Sequence, residues 1–525
     1  MPSKKLRAAP AETAIPCHEP ATGRSLGEIP VASEAEVREA VARARRAQAE
    51  LGETSLAGRA KLLSRLLDRV VREADAIVEL VVQDTGKTRE HALMGEVWPV
   101  CEKLRWTIKH GPRHLAPERV SSGMLPHKRA RIEYAPLGVQ GAIVPWNYPF
   151  QNLMNPIVSG LMAGNAVVVK PSEWVAYSSA RFAAMVREVV AEAGFDADLV
   201  QIVQGYGDTG RALIASGIDG LLFIGSGENG KRVLATAAEH LVPVVLELGG
   251  KDPLIVFEDA HVDAALHAAL NGAFINAGQN CVAAERILVH ESILSSFEAK
   301  AGALARSLRQ GPPGEPGSVD VGAMITPLQL ERVEMLVDAA VAQGARVVAG
   351  GRRRPGSGTF FEPTVLSNLR PDMDIMTTEE LFGPVMLLCP FRNEAEAIEI
   401  ANRSPFGLSA SVFTQNRERA ARVVKALRSG MAAVNDFGGM TYMAQDLPFG
   451  GVKASGFGRM NGRDGLRACT QPRAILDDRL PFTFANELFP VSPATYRGTR
   501  AAIALVYGGA KEKLRAVGAL LRGGR

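Results

Sequence analysis

A thiol attacks an electrophilic carbon well only when a base takes its proton and a donor waits for the oxyanion that forms. Three residues of this chain could divide that work. Cys281 stands in Gly278-Gln-Asn-Cys-Val282, with a glycine three residues upstream that lets the backbone turn closely. Glu247 ends an apolar run in Val244-Val-Leu-Glu-Leu-Gly-Gly250. A carboxylate in such surroundings is either a paired structural group or a base with a raised pKa. Asn147 is bracketed by prolines in Pro145-Trp-Asn-Tyr-Pro149. Its amide could donate to a developing oxyanion, an interaction worth about 3 kcal/mol of transition-state stabilisation. Taken singly, each has a plainer reading: an inert buried thiol, a paired carboxylate, a turn asparagine.

A second set of residues suits a phosphate and a ribose. In Val167-Val-Val-Lys-Pro-Ser-Glu173, Lys170, Ser172 and Glu173 follow an apolar run. A carboxylate there can take both hydroxyls of an adenosine ribose and would repel a 2′-phosphate, favouring NAD over NADP; a solvated Lys–Glu pair at a helix start is the plain alternative. Gly225-Ser-Gly-Glu-Asn-Gly-Lys231 fits G-x-x-x-x-G-K, and Leu254–Asp259 resembles a Walker B strand. Arg232, however, stands where a P-loop needs Ser or Thr to hold Mg²⁺. The other reading is a glycine turn into a helix whose N-terminal amides bind a pyrophosphate, with Ser226 assisting. The nine histidines form no H-x-x-x-H or H-E-x-x-H pattern, so no metal is expected.

These residues need a frame. Residues 31–110 read as helix, opened by an N-cap at Ser33. From 131 the pattern becomes short apolar runs, at 139–144, 166–170, 200–203, 220–224 and 244–248, separated by helical stretches such as 176–193 and 229–240. Buried strands alternating with helices predict a parallel sheet covered on both faces, with ligand at the carboxyl ends of its strands. A second series, at 253–257, 287–290, 345–349, 386–391 and 432–435, predicts a second α/β domain starting near 249. Residues 311–318 and 350–358 read as surface loops. In the tail, 494–508 carries an apolar stripe and 511–522 is basic and amphipathic. It reads as a helix pair packed on the body or a neighbouring subunit, or as a membrane-surface helix.

Composition narrows the function. The 525 residues carry a net charge of +4, which gives no reason to expect nucleic acid as a partner. Aromatic and basic residues are not interleaved as in a stacking platform. Hydrophobic residues at 46% and charged residues at 22% exclude a mostly disordered chain. Cys17, Cys101, Cys281, Cys389 and Cys469 are few, odd in number and far apart, which suits a reducing compartment rather than a disulfide framework. No apolar run reaches membrane-spanning length, and Met1–Pro10 has no apolar segment behind it, so the expectation is a soluble, cytoplasmic protein.

Together the motifs resemble the aldehyde dehydrogenase superfamily over nearly the whole chain. Pro145-Trp-Asn-Tyr-Pro149, Lys170-Pro-Ser-Glu173, Phe223-Ile-Gly-Ser226, Glu247-Leu-Gly-Gly-Lys251, Gly278-Gln-Asn-Cys281, Glu380-Leu-Phe-Gly-Pro384 and Pro448-Phe-Gly-Gly-Val-Lys-Ala-Ser-Gly-Phe-Gly-Arg459 occur in family order. Val434-Asn-Asp-Phe437, Tyr442-Met443, Gly465-Leu-Arg-Ala-Cys469 and the C-terminal extension resemble most closely the family-22-type branch of plants and fungi. An N-terminal membrane anchor often described for that branch is not evident in this sequence, and Met460-Asn461-Gly462 stands where the superfamily often has an acidic residue.

The resemblance implies an α/β fold: a Rossmann-type NAD-binding domain (1–117 and 137–248), an α/β catalytic domain (249–446), a small β oligomerisation arm with a closing segment (118–136 and 447–479) and a C-terminal helical extension (480–525). It implies NAD-dependent oxidation of an aldehyde to a carboxylic acid through a Cys281 thiohemiacetal and thioester. Asn147 and the Cys281 N–H would hold the oxyanion, and Glu247 would activate the hydrolytic water. Aldehyde dehydrogenases that pass the acyl group to coenzyme A typically lack this glutamate. Lys170 and Glu173 would hold the adenine ribose and Ser226 the pyrophosphate, with Ser172 and Gly225 also binding the cofactor. Glu380 would take the nicotinamide ribose, with Trp146, Leu248, Gly249 and Phe382 along the cofactor. Tyr148, Gln151, Asn152, Asn155 and Ile275 would wall the aldehyde tunnel, and the amides among them suggest a partly polar substrate. A homodimer or homotetramer is the implied assembly, with the extension reaching a partner subunit or a membrane surface. A non-catalytic scaffold and a P-loop NTPase are the competing classes.

Overall fold

β-branched runs separated by amphipathic helices fold into two mainly parallel sheets. In the computed structural model, residues 13–377, 380–482 and 489–522 are described. The Met1–Pro10 stretch and parts of the C-terminal extension lie outside them. The first sheet runs Gly456–Phe457, Val244–Leu248, Gly220–Gly225, Val139–Val144, Ala166–Pro171, Val200–Ile202. Its strands are parallel except Gly456–Phe457, which is antiparallel to Val244–Leu248. The chain leaves Val139–Val144 toward Ala166–Pro171 and returns on the other side at Gly220–Gly225. That reversal opens a crevice at the strands' carboxyl ends.

The second sheet runs Arg346–Ala349, Thr364–Ser367, Val385–Phe391, Ala284–His290, Asp252–Val256, Ser411–Phe413, Ala433–Val434, parallel except at its first edge. Thr364–Ser367 and Ser411–Phe413 gave no sequence signal because each is too short for an apolar run to show. The same holds for the N-terminal hairpin Ala14–His18 with Ser25–Pro30.

The helical reading of 31–110 resolves into Glu34–Glu53, Leu56–Arg72, Ala74–Thr85, Arg89–Ala92 and Trp98–Leu115. A Ser33–Glu36 capping box starts the first. A π-helical turn at Leu93–Val97 precedes the last, and within it Glu96 is buried. Such bulges shift the side chains around them by a fraction of a turn and recur at functional sites.

The chain divides into two compact units. One comprises Met1–Pro117 and Glu133–Arg473 and contains both parallel sheets; the other comprises Glu118–Ile132 and Ala474–Arg525. A three-stranded sheet runs Thr470–Asp478, Lys128–Pro136, Glu118–Val120. Within the second unit, Asp477 pairs with Arg129 and Arg131, and Asp478 with Lys128. The helices Pro493–Tyr507 and Ala510–Arg522 pack on each other there. No described helix is long and apolar enough to cross a membrane.

Candidate active site

The strand Val139–Val144 ends at the reversal point, and Pro145–Tyr148 turns into the helix Pro149–Ala163. Asn147 sits in this turn, fixed on three sides. Its Oδ1 accepts from Asn152 Nδ2 at 3.1 Å, and its backbone carbonyl accepts from Lys87 Nζ and Asn276 Nδ2, both at 2.9 Å. Its own Nδ2 donates to the Gln279 carbonyl at 3.2 Å, which leaves the amide a second hydrogen. Lys87 is fully buried and paired at 2.6 Å with Glu96, also fully buried. Glu96 in turn accepts the N–H groups of Phe150 and Gln151 at 3.0 and 2.9 Å. A carboxylate at a helix N-terminus satisfies orphan donors there and is favoured by the dipole.

The loop bearing Cys281 is strained. Asn276, Ala277 and Gly278 follow one another with φ of 51°, 52° and 72°. Only glycine takes this region freely; the other two cost roughly 1–2 kcal/mol each. Side-chain bonds hold the loop there. Asn276 Nδ2 donates to Asn147 O and Gln279 O, and Gln279 Oε1 accepts from Ile325 N at 2.8 Å. Gly278 is required for space as well, since a Cβ would lie 2.0 Å from the Gly383 carbonyl oxygen. The thiol loop and Asn147 are thus anchored to the same atoms.

Glu247 faces this thiol from the strand Val244–Leu248. The partner strand crosses at Gly456, where a Cβ would lie 2.2 Å from the Leu246 carbonyl oxygen. Burial pushes the Glu247 carboxyl up to about 7, against a lowering contribution from the Cys281 thiol. Burial also raises the Cys281 thiol well above its usual range, and the Glu247 charge adds to this. Glu247 Oε1 is buried and accepts no hydrogen bond among the described residues. The paired-structural reading of this carboxylate therefore gives way to that of a proton acceptor poised near neutrality.

At the other end, Lys170 Nζ lies 3.7 Å from Glu173, and Ser172 Oγ bonds both Glu173 and the Trp174 N–H. Ser226 caps the helix Gly227–Glu239, accepting from Asn229 N at 3.3 Å, and Gly227 has open space at its Cβ position. The P-loop-like run is thus a strand end turning into a helix. Glu380 accepts from Gly250 N at 3.0 Å and lies against Gly249, where a Cβ would be 2.2 Å from its Oε2. Burial, then the charge of Glu285, pushes Glu380 up to about 8. Glu285, paired with Lys251 at 2.5 Å, accepts the N–H groups of Leu381 and Phe382. The Phe382 ring meets Trp146 edge-on at 5.4 Å.

Beyond the thiol, Tyr148 lies beside Lys87 Nζ, 4.2 Å from its ring centroid. Gln151 and Asn461 lie beside the Tyr442 hydroxyl. Lys103, buried and pushed down to about 8 by burial, donates to Asn461 Oδ1 at 2.9 Å. Asn152 is committed to Asn147, and Asn155 Nδ2 reaches Met460 Sδ at 3.6 Å.

Every site residue singled out from the sequence, from Lys170 to Ile275, lines one cleft of about 1490 Å³. The supports Lys87, Glu96, Asn276, Gln279, Lys103 and Asn461 were not anticipated. Glu96 left a trace, as a lone acid in an apolar helical stretch; the others are ordinary polar residues in sequence.

This fold and cleft are those of the aldehyde dehydrogenase family, to which the chain belongs: residues 7–475 match it. An aldehyde dehydrogenase-like protein of Saccharomyces cerevisiae is 38% identical, over 89% of this chain and 75% of its own. The 4,4′-diapolycopene aldehyde oxidase of a Methylomonas species is 37% identical over 94% and 92%. Among solved structures, betaine aldehyde dehydrogenase of Staphylococcus aureus in complex with NAD⁺ superposes with a TM-score of 0.84 at 31% identity, over 91% of this chain and 94% of that one.

Proposed function

We propose that this chain oxidises an aldehyde to its carboxylic acid with NAD, using Cys281 as nucleophile and Glu247 as base. The observation that carries the reading is Glu247 itself, a buried carboxylate near neutrality beside the half-buried Cys281 thiol, with an unpartnered oxygen, in the wall of the cleft. Glu247 takes the Cys281 proton, and the sulfur attacks the aldehyde carbon. The second Asn147 N–H and the Cys281 N–H receive the oxyanion. Bound NAD would supply the hydride acceptor for oxidation of the thiohemiacetal to the thioester. Once it has passed the first proton to solvent, Glu247 takes a proton from water, which attacks the thioester carbon; the C–S bond breaks, the acid is released and the Cys281 sulfur leaves as thiolate.

The residues at the far end fit such a cofactor. The open space at Gly227 and the capped helix start suit a pyrophosphate. Lys170, Ser172 and Glu173 would hold the adenine ribose, and Glu380 the nicotinamide ribose. Glu173 favours NAD over NADP. On this reading residues 1–117 and 137–248 form the cofactor domain, 249–446 the catalytic domain, 118–136 with 447–479 the arm and closing segment, and 480–525 the extension. The enzyme is a cytoplasmic homodimer or homotetramer. Its branch is the family-22 type, a reading supported by Val434–Phe437, Tyr442–Met443 and Gly465–Cys469.

The test is NADH formation at neutral to mildly alkaline pH with aliphatic, aromatic and hydroxylated aldehydes. Cys281→Ala should lower turnover at least ~10⁴-fold while NAD still binds. Undiminished NADH formation in that variant would sink the mechanism.

A further inference from the structure

The C-terminal helix pair presents apolar side chains outward. Among the described residues, Ala501 and Ala516 are its buried ones, and both are small. Leu514, Val517 and Leu521 recur at the spacing of one helical face and are 74%, 45% and 79% exposed. On the other helix Tyr496, Ile503 and Tyr507 share a face, with Ile503 56% and Tyr507 72% exposed. Basic residues flank both faces: Arg497 and Arg500 on one helix, Lys511, Lys513 and Arg515 on the other, against the single carboxylate of Glu512. With Arg522 at the helix end, the pair carries an excess of five positive charges, more than the +4 of the entire chain.

We propose that this helix pair is a peripheral membrane-docking element that lies in the interface of an anionic lipid surface. Spanning is excluded for these helices by their length and hydropathy. An exposed apolar face edged by lysine and arginine is the composition that an interfacial helix requires, with aromatic rings at the level of the headgroups. A second copy of the chain fits less well, because a two-fold contact would set this patch against itself and oppose its like charges.

The test is flotation of the full-length protein with phosphatidylcholine vesicles, with and without phosphatidylglycerol. Two variants accompany it, Lys511→Glu/Lys513→Glu/Arg515→Glu and Leu514→Ser/Val517→Ser/Leu521→Ser. Both change exposed side chains, so aldehyde turnover and unfolding temperature should stay at wild-type values. The wild type should float with the anionic vesicles in a salt-sensitive way, and the charge-reversed variant should partition about a hundredfold less. The apolar variant should also be released. Failure of the wild type to float, equal binding to both vesicle types, or variants that float as the wild type does would overturn the proposal. So would a change in the solution mass of the apolar variant without vesicle binding, which would assign the patch to a second copy.

Discussion

The two ends of the cleft are built differently. At the adenosine and pyrophosphate end, the contacts come from short contiguous segments: Lys170, Ser172 and Glu173 from one turn, Gly225 to Gly227 from another. At the aldehyde end, single residues converge from distant parts of the chain. Gln151, Tyr442, Asn461 and Lys103 meet there from four segments, with Lys103 donating to Asn461. A contiguous turn can bind a common cofactor with little help, because its backbone sets the geometry. A convergent network can be changed one residue at a time, which suits the part of a site that distinguishes substrates. The thiol and its base lie between the two ends and depend on both.

Loss of that central pair should have the largest effect. Glu247→Gln keeps the shape and removes the base, and kcat should fall roughly 10³-fold. Wild-type activity should rise as Glu247 ionises near pH 7 and level off above it, and the variant should lose this step. Stability should move the other way. The folded carboxyl holds its proton to about 7 against an ordinary 4.5, so ionising it at higher pH costs folding energy. The glutamine variant should therefore match the wild type near pH 4 and exceed it by up to about 3 kcal/mol at pH 8. A pH rate profile with paired denaturant titrations checks both. A variant that is less stable at pH 8 would mean that the carboxylate is paired after all.

Glu173→Gln tests the contiguous end. The KM for NAD should rise roughly tenfold, in line with one lost charge-assisted bond pair, and discrimination against NADP should narrow. The kcat at saturating cofactor should hold. A fall in kcat with unchanged KM would show that this turn acts on the chemistry rather than on the ribose.

The same contrast explains what could be read from the sequence. The strands at 139–144, 166–171, 220–225 and 244–248 and the cofactor turns were legible because apolar runs and glycine turns are local signals. Cys281, Glu247 and Asn147 were legible because each sits in a short motif of fixed spacing. Lys87 and Glu96 were not. Their roles follow from a π-helical turn and from a helix packed beside them, neither of which marks the sequence. Asn276 was missed for a related reason, because its left-handed backbone is imposed by the bonds its amide makes to Asn147 and Gln279. The amides of the tunnel were seen as a group and are separated by the structure. Asn152 supports the oxyanion donor, and Gln151 joins the network that faces the substrate.

That separation leads to the smallest predicted effect and the one most specific to this chain. If the tunnel recognises a polar group on the aldehyde, Gln151 and Tyr442 are the residues placed to do it. Burial raises the Tyr442 hydroxyl above its usual range, so it stays protonated and can donate. Tyr442→Phe removes one donor without emptying the site, because its ring still packs edge-on against Phe449 at 5.1 Å. For a hydroxylated aldehyde, kcat/KM should drop about fivefold, the worth of one net hydrogen bond. For hexanal it should stay level or rise slightly, since the phenyl ring costs less to leave dry. A comparison of the two substrates in the two enzymes isolates the polar contribution from any general loosening of the tunnel. An equal change for both aldehydes would leave Tyr442 and its neighbours Gln151 and Asn461 as structural support for the tunnel wall and return substrate choice to the shape of the cleft.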